Sequence, residues 1–273
     1  METVQPTYVL GHADNELDRL TLQARMLEPF TRQLLQEAGI RPGMRVLDIG
    51  SGSGDVAFLA AELVGPNGRV VGVDRSLAAV RRATARAVSA HRSNICFVEG
   101  DPTTMEFTDR FDAVVGRLVM MYLADPVEAL RKLSQHLHPG GLIVVQEIDM
   151  ESCRSAPPSP LLAQCVRWIN QTFELTKARM RMGLELYSAF VEAGLPAPSL
   201  RLDAAIAGGT GNPVFTAVTE VMRTMLPAME KFKIATAGEV GIADLEQRLR
   251  QEVGPSGTAT YPSLIGAWAR TPA

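Results

Sequence analysis

Cysteine is scarce in this chain: three in 273 residues, at Cys96, Cys153 and Cys165, an odd number with no short paired spacing. That excludes a disulfide framework or a short-spaced zinc site and fits a reducing compartment. The first residues, Met1 to Pro6, lack a basic segment followed by an apolar run, and no apolar stretch elsewhere is long enough to span a bilayer. Neither secretion nor membrane insertion is expected, and the expected location is cytoplasmic. An excess of one charge is also missing. Lys and Arg number 27 against 30 Asp and Glu, a formal charge of -3, which supplies no electrostatic reason for a nucleic-acid partner. There is no internal repeat and no low-complexity segment. What is present, 46% hydrophobic and 21% charged residues, is the composition of a soluble globular protein. The length allows one large α/β domain with embellishments, or a core with a smaller appendage.

Apolar strands alternate with helical segments along the first half. Residues 15–38 carry Leu17, Leu20, Leu27, Leu34 and Leu35 near helical spacing, with Asp14 or Asn15 as N-cap, and Pro29 is expected to divide the helix in two. Gly39 and Gly43 bracket the turn into a strand over 44–49. Further strands are predicted at 69–73, 95–98, 111–115 and 142–148, the last almost wholly apolar, as a parallel strand covered on both faces should be. Helices over 56–64, 77–91 and 127–137 lie between them. Ser76 caps the second, and Asp125 with Pro126 caps the third, which residues 138–141 are expected to end. Arg81, Arg82 and Arg86 on the second read as a solvated face. This rhythm specifies a doubly wound, mostly parallel α/β sheet.

Beyond Glu151 the rhythm changes. A helical region opens at Pro157 and runs to about Lys177, a helix over 182–193 ends at Gly194, and a sixth strand is predicted over 199–207. Helices at 213–229 and 242–253 follow, the latter preceded by the capping-box pattern Thr236-x-x-Glu239, and a seventh strand closes the chain at 263–269. The expected organisation is a helical N-terminal cap over 1–43, a ligand-binding core over 44–150, and over 151–273 the rest of the sheet with helical insertions forming a lid or substrate region. No linker separates these parts, so a distinct second domain is not expected, while the apolar insertions allow a homodimer.

Ligands of open α/β sheets bind at the carboxyl ends of the strands. Those ends here carry Asp48 with the loop Gly50, Ser51, Gly52, Ser53, Gly54 and Asp55, then Asp74 and Arg75, then Gly100, Asp101 and Pro102, then Gly116, Arg117 and Leu118, then Glu147 and Asp149. Glycines at a strand-to-helix turn permit positive φ and let a ligand approach the backbone. The dinucleotide pattern G-x-G-x-x-G would need glycine at position 55, where Asp55 stands, and Asp48 and Asp55 would both repel a pyrophosphate. The loop suits a phosphate-free ligand that carries positive charge. S-adenosylmethionine is one: Asp74, about twenty residues after the glycines, could accept from its ribose hydroxyls, and Asp101 from its adenine amine.

In these residues the chain resembles the class I S-adenosylmethionine-dependent methyltransferases, from about Arg45 to Asp149. The family's first motif, an apolar strand followed by D-x-G-x-G-x-G, matches Asp48, Gly50, Gly52 and Gly54. Its acid after the second strand falls on Asp74, and its aspartate after the third on Asp101. Its fourth region falls on 111–119, and its turn before the fifth strand on Pro139, Gly140 and Gly141. The resemblance implies a Rossmann-like methyltransferase fold. It also implies S-adenosylmethionine as cofactor, held by Asp48, Gly50, Ser51, Gly52, Asp74, Arg75, Gly100, Asp101, Pro102, Arg117 and Leu118. The leader Tyr8, Val9, Leu10 and Gly11, with Glu16, Arg19, Leu20 and Gln23, is similar to the N-terminal part of certain bacterial and fungal small-molecule methyltransferases, where the segment closes over the cofactor. Tyr8 and Gln23 are therefore further candidates to contact it. Arg117 is expected to pair with the cofactor carboxylate, with an acidic substrate, or with Asp48 or Asp74.

Methyl transfer is an in-line displacement at an activated carbon, so the protein chiefly positions the acceptor and excludes water. A base is optional, and its candidates are His12 and Glu147. The plainer alternatives are a local hydrogen bond for His12 and, for Glu147, a carboxylate that holds the cofactor side or a lid residue in place. Glu147, Asp149 and Glu151 alternate and could share a face, but no further ligand joins them and no metal is expected. Met120, Met121, Tyr122, Trp168, Phe173, Met180 and Met182 could form an adaptable apolar wall, with Met121, Tyr122, Trp168 and Phe173 as the substrate contacts. Residues 116–119 read Gly-Arg-Leu-Val rather than N/D-P-P-[YF], which argues against methylation of exocyclic amines or glutamine. The expected activity is transfer of a methyl group to an oxygen, or to carbon or nitrogen, of a hydrophobic small molecule such as a polyketide, quinone-like or peptide-derived metabolite. The competing expectations are a fold relative that binds the cofactor but catalyses a cyclisation or serves as a non-catalytic partner, and a nicotinamide oxidoreductase.

Overall fold

A computed structural model describes residues 14–272, with the side chains of 14–22 and 25 left out; Tyr8 and His12 lie outside the described residues. The first helix, α1 (Asp14–Ala38), runs through Pro29 as one element instead of dividing there. Proline in a helix interior removes one backbone bond, but Pro29 is exposed and Leu34 and Leu35, in the turns that follow, are fully buried, so packing carries the helix past it. The core of the fold follows as β1 (Arg45–Ile49), α2 (Asp55–Val64), β2 (Arg69–Asp74), α3 (Leu77–Ser89), β3 (Ile95–Glu99) and β4 (Phe111–Arg117). A single 3-10 turn, Met120–Tyr122, precedes α4 (Pro126–Ser134) and β5 (Leu137–Asp149). Ser76 accepts from the Ala79 N–H and Asp125 from the Glu128 N–H, with Pro126 in the first helical turn, so both predicted caps form. Ser76→Ala should cost about 1 kcal/mol, read as a lowered urea midpoint at unchanged slope.

After a second 3-10 turn (Met150–Ser152) come β6 (Ser155–Ala156), α5 (Pro160–Leu175), α6 (Met182–Glu192), β7 (Ser199–Asp203) and β8 (Ile206–Gly208). The remaining elements are α7 (Pro213–Lys231), α8 (Ala237–Val240), α9 (Leu245–Val253), β9 (Thr258–Thr260) and β10 (Ser263–Arg270). Seven strands form one sheet in the order β3-β2-β1-β4-β5-β10-β7, with parallel pairing of β1 to β2 and β4, of β2 to β3 and of β4 to β5. This is the doubly wound, mostly parallel sheet implied by the alternation of apolar runs and helices. One of its faces buries Val46, Val70, Ala113, Val115, Leu142 and Val144 against Leu34 and Leu35 of α1 and Ala57, Ala60 and Val64 of α2.

Three local expectations are corrected. Residues 138–141 do not end α4, which stops at Ser134; they lie inside β5. Leu137 pairs with Phe111 and Leu142 with Ala113, so several residues of β5 face one of β4, and Gly140, at φ +74°, turns the excess out as a bulge. The run 199–207 breaks after Asp203: β7 joins the large sheet, whereas β8 enters a small antiparallel sheet of order β6-β9-β8. Alternation is common to both strands, and only the partner differs. The capping box of Thr236 and Glu239 forms with both reciprocal bonds, but it opens the short α8, which Gly241 ends at φ +62°; α9 begins separately at Leu245.

The described chain forms two compact units. One holds Glu28–Glu147, Gly183–Arg201 and the residues from Ile265 onward, and contains most of the large sheet with α2, α3 and α4. The other holds Ile148–Met182, Leu202–Leu264 and the part of α1 up to Leu27. Within it α7 packs on α5 and α9, burying Val214, Val218, Met222, Met225 and Met229 from its own inner face. No helix among the described residues is long and apolar enough to cross a membrane.

Candidate functional site

The chain winds outward from β1 through β2 to β3, then returns to the other side of β1 for β4 and β5, so the strand order reverses between β1 and β4. A ligand crevice opens at the carboxyl ends of strands on either side of such a reversal. The glycine loop lies there. Gly50, Gly52 and Gly54 have φ of +59°, +52° and +90°, values that favour glycine. The loop is fastened by Ser51 N–H to the Val73 carbonyl (3.0 Å) and by Gly54 N–H to the Ser51 carbonyl (2.8 Å). The three glycines do different things. A Cβ at Gly50 would stand 2.5 Å from Val119 Cγ2 and one at Gly54 2.7 Å from Phe97 Cζ, whereas one at Gly52 would meet nothing within 4 Å. The outer two allow close packing, and the middle one faces open space.

The acids at the strand tips are held in distinct ways. Asp74 Oδ2 accepts from Gly52 N–H and its Oδ1 from Ser76 N–H, both at 2.8 Å, so it ties the loop to the start of α3. Asp55 is not presented to the crevice as an uncompensated charge. Arg86 reaches back from α3 to Asp55 (2.8 Å) and to the Ser53 carbonyl, with its guanidinium 4.9 Å from the Phe58 ring centre. Arg86 thus closes the loop instead of lying on a solvated face, and the repulsion of phosphate expected from Asp55 is opposed by the guanidinium paired with it. Asp48 is 1% exposed, with Oδ2 buried and unpartnered. Burial pushes its carboxyl well above the ordinary value, against the opposing pull of Arg117 and of the Ala57 N–H. The hydroxyl of Ser51 is also buried and unpartnered.

At the third strand tip, Asp101 Oδ1 accepts the N–H and hydroxyl of Thr103 (2.9 and 2.7 Å), and Oδ2 accepts from Arg75 (2.5 Å). Partial burial works to raise this carboxyl, but Thr103 and Arg75 outweigh it and hold the group below its ordinary value. Gly100 N–H donates to the Asp74 carbonyl (2.9 Å), and the Pro102 carbonyl lies 3.0 Å from His136 Nε2.

After β4 the backbone is constrained at Leu118, whose φ of +55° is unusual for a leucine and costs about 1–3 kcal/mol. Its N–H is held by the Gln146 carbonyl at 2.8 Å. Glu147, fully buried, turns its carboxylate onto the same segment: Oε1 accepts from Val119 N–H (2.9 Å) and Met120 N–H (2.8 Å), and Oε2 from Met121 N–H (3.3 Å). Burial raises this carboxyl to about 7, against the three N–H donors. Arg117 donates to Thr31 Oγ1 (2.9 Å), which donates to Gln146 Oε1 (2.7 Å).

One unit therefore brings together Asp48, Gly50, Ser51, Gly52, Asp74, Arg75, Gly100, Asp101, Pro102, Arg117, Leu118, Glu147 and the turn carrying the buried Met121 and the half-buried Tyr122. Gln23, Trp168 and Phe173 belong to the other unit, where Gln23 Nε2 donates to the Tyr261 hydroxyl (3.2 Å), Trp168 is half-buried and Phe173 is buried. In the sequence Arg86 reads only as part of a solvated face, and Thr31 and Gln146 are not singled out. Only Gln146 left a signal, as the amide within the apolar run of β5.

Residues 40–194 match the model of a family described as a methyltransferase domain. The 2-phytyl-1,4-naphtoquinone methyltransferase of Synechococcus elongatus is 37% identical over 153 residues, 55% of this chain and 62% of that protein. The ubiquinone/menaquinone biosynthesis C-methyltransferase UbiE of Ectopseudomonas mendocina is 34% identical over 142 residues, 51% of this chain and 52% of that protein. The match thus spans between half and two thirds of those relatives' own length. The structure of the YcgJ protein from Bacillus subtilis shares the fold, with a TM-score of 0.57 at 18% identity over 89% of this chain and 99% of that one.

Proposed function

The chain belongs to the methyltransferase-domain family, and we propose that it is an S-adenosylmethionine-dependent methyltransferase acting on an oxygen or a carbon of a hydrophobic small molecule. What carries this is the open space at Gly52 together with two buried polar atoms without partners on the same strand and loop, Asp48 Oδ2 and Ser51 Oγ. Buried polar atoms in native proteins are rarely left so, and these fit a ligand that brings its own donors and cationic groups. Asp74 uses one lone pair of Oδ2 on the loop and one of Oδ1 on the start of α3 and keeps others for ribose hydroxyls. Asp101 is assigned to the adenine amine, with the backbone of Gly100 and Pro102 flanking it and Arg75 as its partner. Arg117, Leu118, Tyr8 and Gln23 complete the cofactor contacts. Bound there, S-adenosylmethionine supplies a methyl group on a sulfonium.

The chain's own residues then orient the acceptor and exclude water. Glu147 acts by position: with both oxygens turned onto the 119–121 N–H groups, it holds the turn that presents Met121 and Tyr122. Trp168 and Phe173 are assigned to the acceptor wall. His12 is the base assigned for an oxygen acceptor. The two relatives named for naphthoquinone methylation and for C-methylation in quinone biosynthesis support a quinone-like ring as acceptor. The test is incubation with methyl-deuterated S-adenosylmethionine and a panel of hydroquinones and phenols. The expected result is a product carrying the labelled methyl group by mass spectrometry. Tight cofactor binding with a cyclised, unlabelled product would favour the cyclase alternative, and binding of NAD without S-adenosylmethionine would overturn the assignment.

A further inference from the structure

The last residue of β5 is Asp149, and the backbone beside it is firmly held. Its carbonyl accepts from Ser152 Oγ (2.6 Å), Ser152 Oγ accepts in turn from Ser263 N–H (2.6 Å), and Met150 N–H donates to the Met180 carbonyl (3.1 Å). Helix α5 packs on the same turn, Met150–Ser152. The side chains brought there are apolar: Met150, Phe173 and Met180 are buried, and the Phe173 carbonyl accepts from Ala178 N–H (3.2 Å), which ties Phe173 to the segment that carries Met180. Asp149 and these residues lie within one unit. Asp149 itself is half-buried, and its Oδ1 is buried with no hydrogen-bond partner. Glu147, two residues earlier on the strand, commits both oxygens to backbone N–H groups; Asp149 Oδ1 is committed to nothing. The neighbouring cation Arg181 is turned to Glu151 (3.8 Å), and among the described residues no three His, Cys, Asp or Glu side chains gather to hold a metal. A buried carboxylate oxygen is rarely left so.

We propose that Asp149 reads a hydroxyl group on the methyl acceptor, an inference that rests on the methyl-donor function above. A carboxylate oxygen accepts and does not donate, so its ligand must bring a donor, and the apolar side chains around it take the rest of a hydrophobic ring. A phenol or a hydroquinone supplies that O–H. The oxidised quinone supplies none and would set a carbonyl oxygen against a carboxylate oxygen. The acceptor is therefore the reduced, hydroxylated form of the ring. Asp149 determines specificity by holding the hydroxyl in place, and the base assigned above is a different residue.

Calorimetry on protein saturated with S-adenosylhomocysteine tests this with two rings that differ in one proton donor, 1-naphthol and 1-methoxynaphthalene. The wild type should bind 1-naphthol the more tightly by about tenfold or more. Asp149→Leu should weaken 1-naphthol by about tenfold to a hundredfold, as expected for loss of a hydrogen bond to a charged group, and leave 1-methoxynaphthalene and S-adenosylhomocysteine unchanged. Asp149→Asn, which keeps the shape of the side chain and an acceptor oxygen without the charge and so guards against a folding defect, should lie between Asp149→Leu and the wild type. Equal weakening of both rings, weakened S-adenosylhomocysteine, or a wild type that binds S-adenosylhomocysteine yet prefers neither ring or takes neither would overturn the proposal. So would tighter binding of 1-naphthylmethylamine, a cation, than of 1-naphthol. Wild-type protein that does not bind S-adenosylhomocysteine would instead sink the methyl-donor function on which the proposal rests.

Discussion

Gly50→Ala is expected to destabilise the protein by about 2–4 kcal/mol and to abolish measurable binding of S-adenosylhomocysteine. Alanine at φ +59° is strained by about 1 kcal/mol or more. Its Cβ would also stand 2.5 Å from Val119 Cγ2 and 3.0 Å from Val119 Cβ. Val119 cannot retreat freely, because its N–H is held by the buried Glu147 at 2.9 Å. The loop has to move instead, and with it the Asp74 bond to Gly52 N–H. Gly52→Ala is the informative companion. Its φ of +52° carries a similar strain, but a Cβ there meets nothing within 4 Å, so stability should fall by only about 1 kcal/mol while binding is lost to a methyl group in the cradle. Urea unfolding and calorimetry on both variants separate the two effects. Normal binding by Gly52→Ala would mean that the open space beside it is not where the ligand lies.

Glu147→Leu should be the costliest change in the turn after β4. It strips the acceptor from three backbone N–H groups of a buried segment and is expected to cost about 3–5 kcal/mol. The same carboxyl gives a pH dependence of definite sign. Its value in the folded protein, about 7, lies above the ordinary 4.5, so the folded state holds the proton more tightly than the unfolded chain does. Stability therefore falls as pH rises from about 4.5 to about 7 and levels off above that, by about 3 kcal/mol in all. Glu147→Gln keeps an acceptor oxygen but cannot titrate. The difference in unfolding free energy between wild type and this variant should slope across that window, and a flat difference would refute the buried proton.

Much of the sheet is legible in the linear chain because its causes are local. Runs such as Val46 to Ile49 and Ile143 to Val145, between turn residues, read as buried strands, and Ser76 and Asp125 stand where a helix begins. The glycines, Asp48 and Asp74 were readable for the same reason, since a strand, a turn and the tip of the next strand follow one another at short range. The departures share one cause. Pro29 stays within α1, and residues 138–141 join β5, because packing and strand pairing outweigh local propensity. The split at Asp203 depends on which sheet each half can pair with.

The sequence by itself determined the alternation of the core strands and helices, the positions of the acids at the strand tips, and a glycine loop between the first strand and the helix that follows it. The tertiary structure decided what each of those charges meets. It set Arg86 on Asp55, Arg75 on Asp101, and Glu147 on the 119–121 backbone, and it joined Thr31 to Gln146 across 115 residues of chain. Backbone conformation follows from neighbours along the chain, but the field at a buried carboxylate is set by groups within a few ångströms in space, and those are brought together only when the sheet and its covering helices pack.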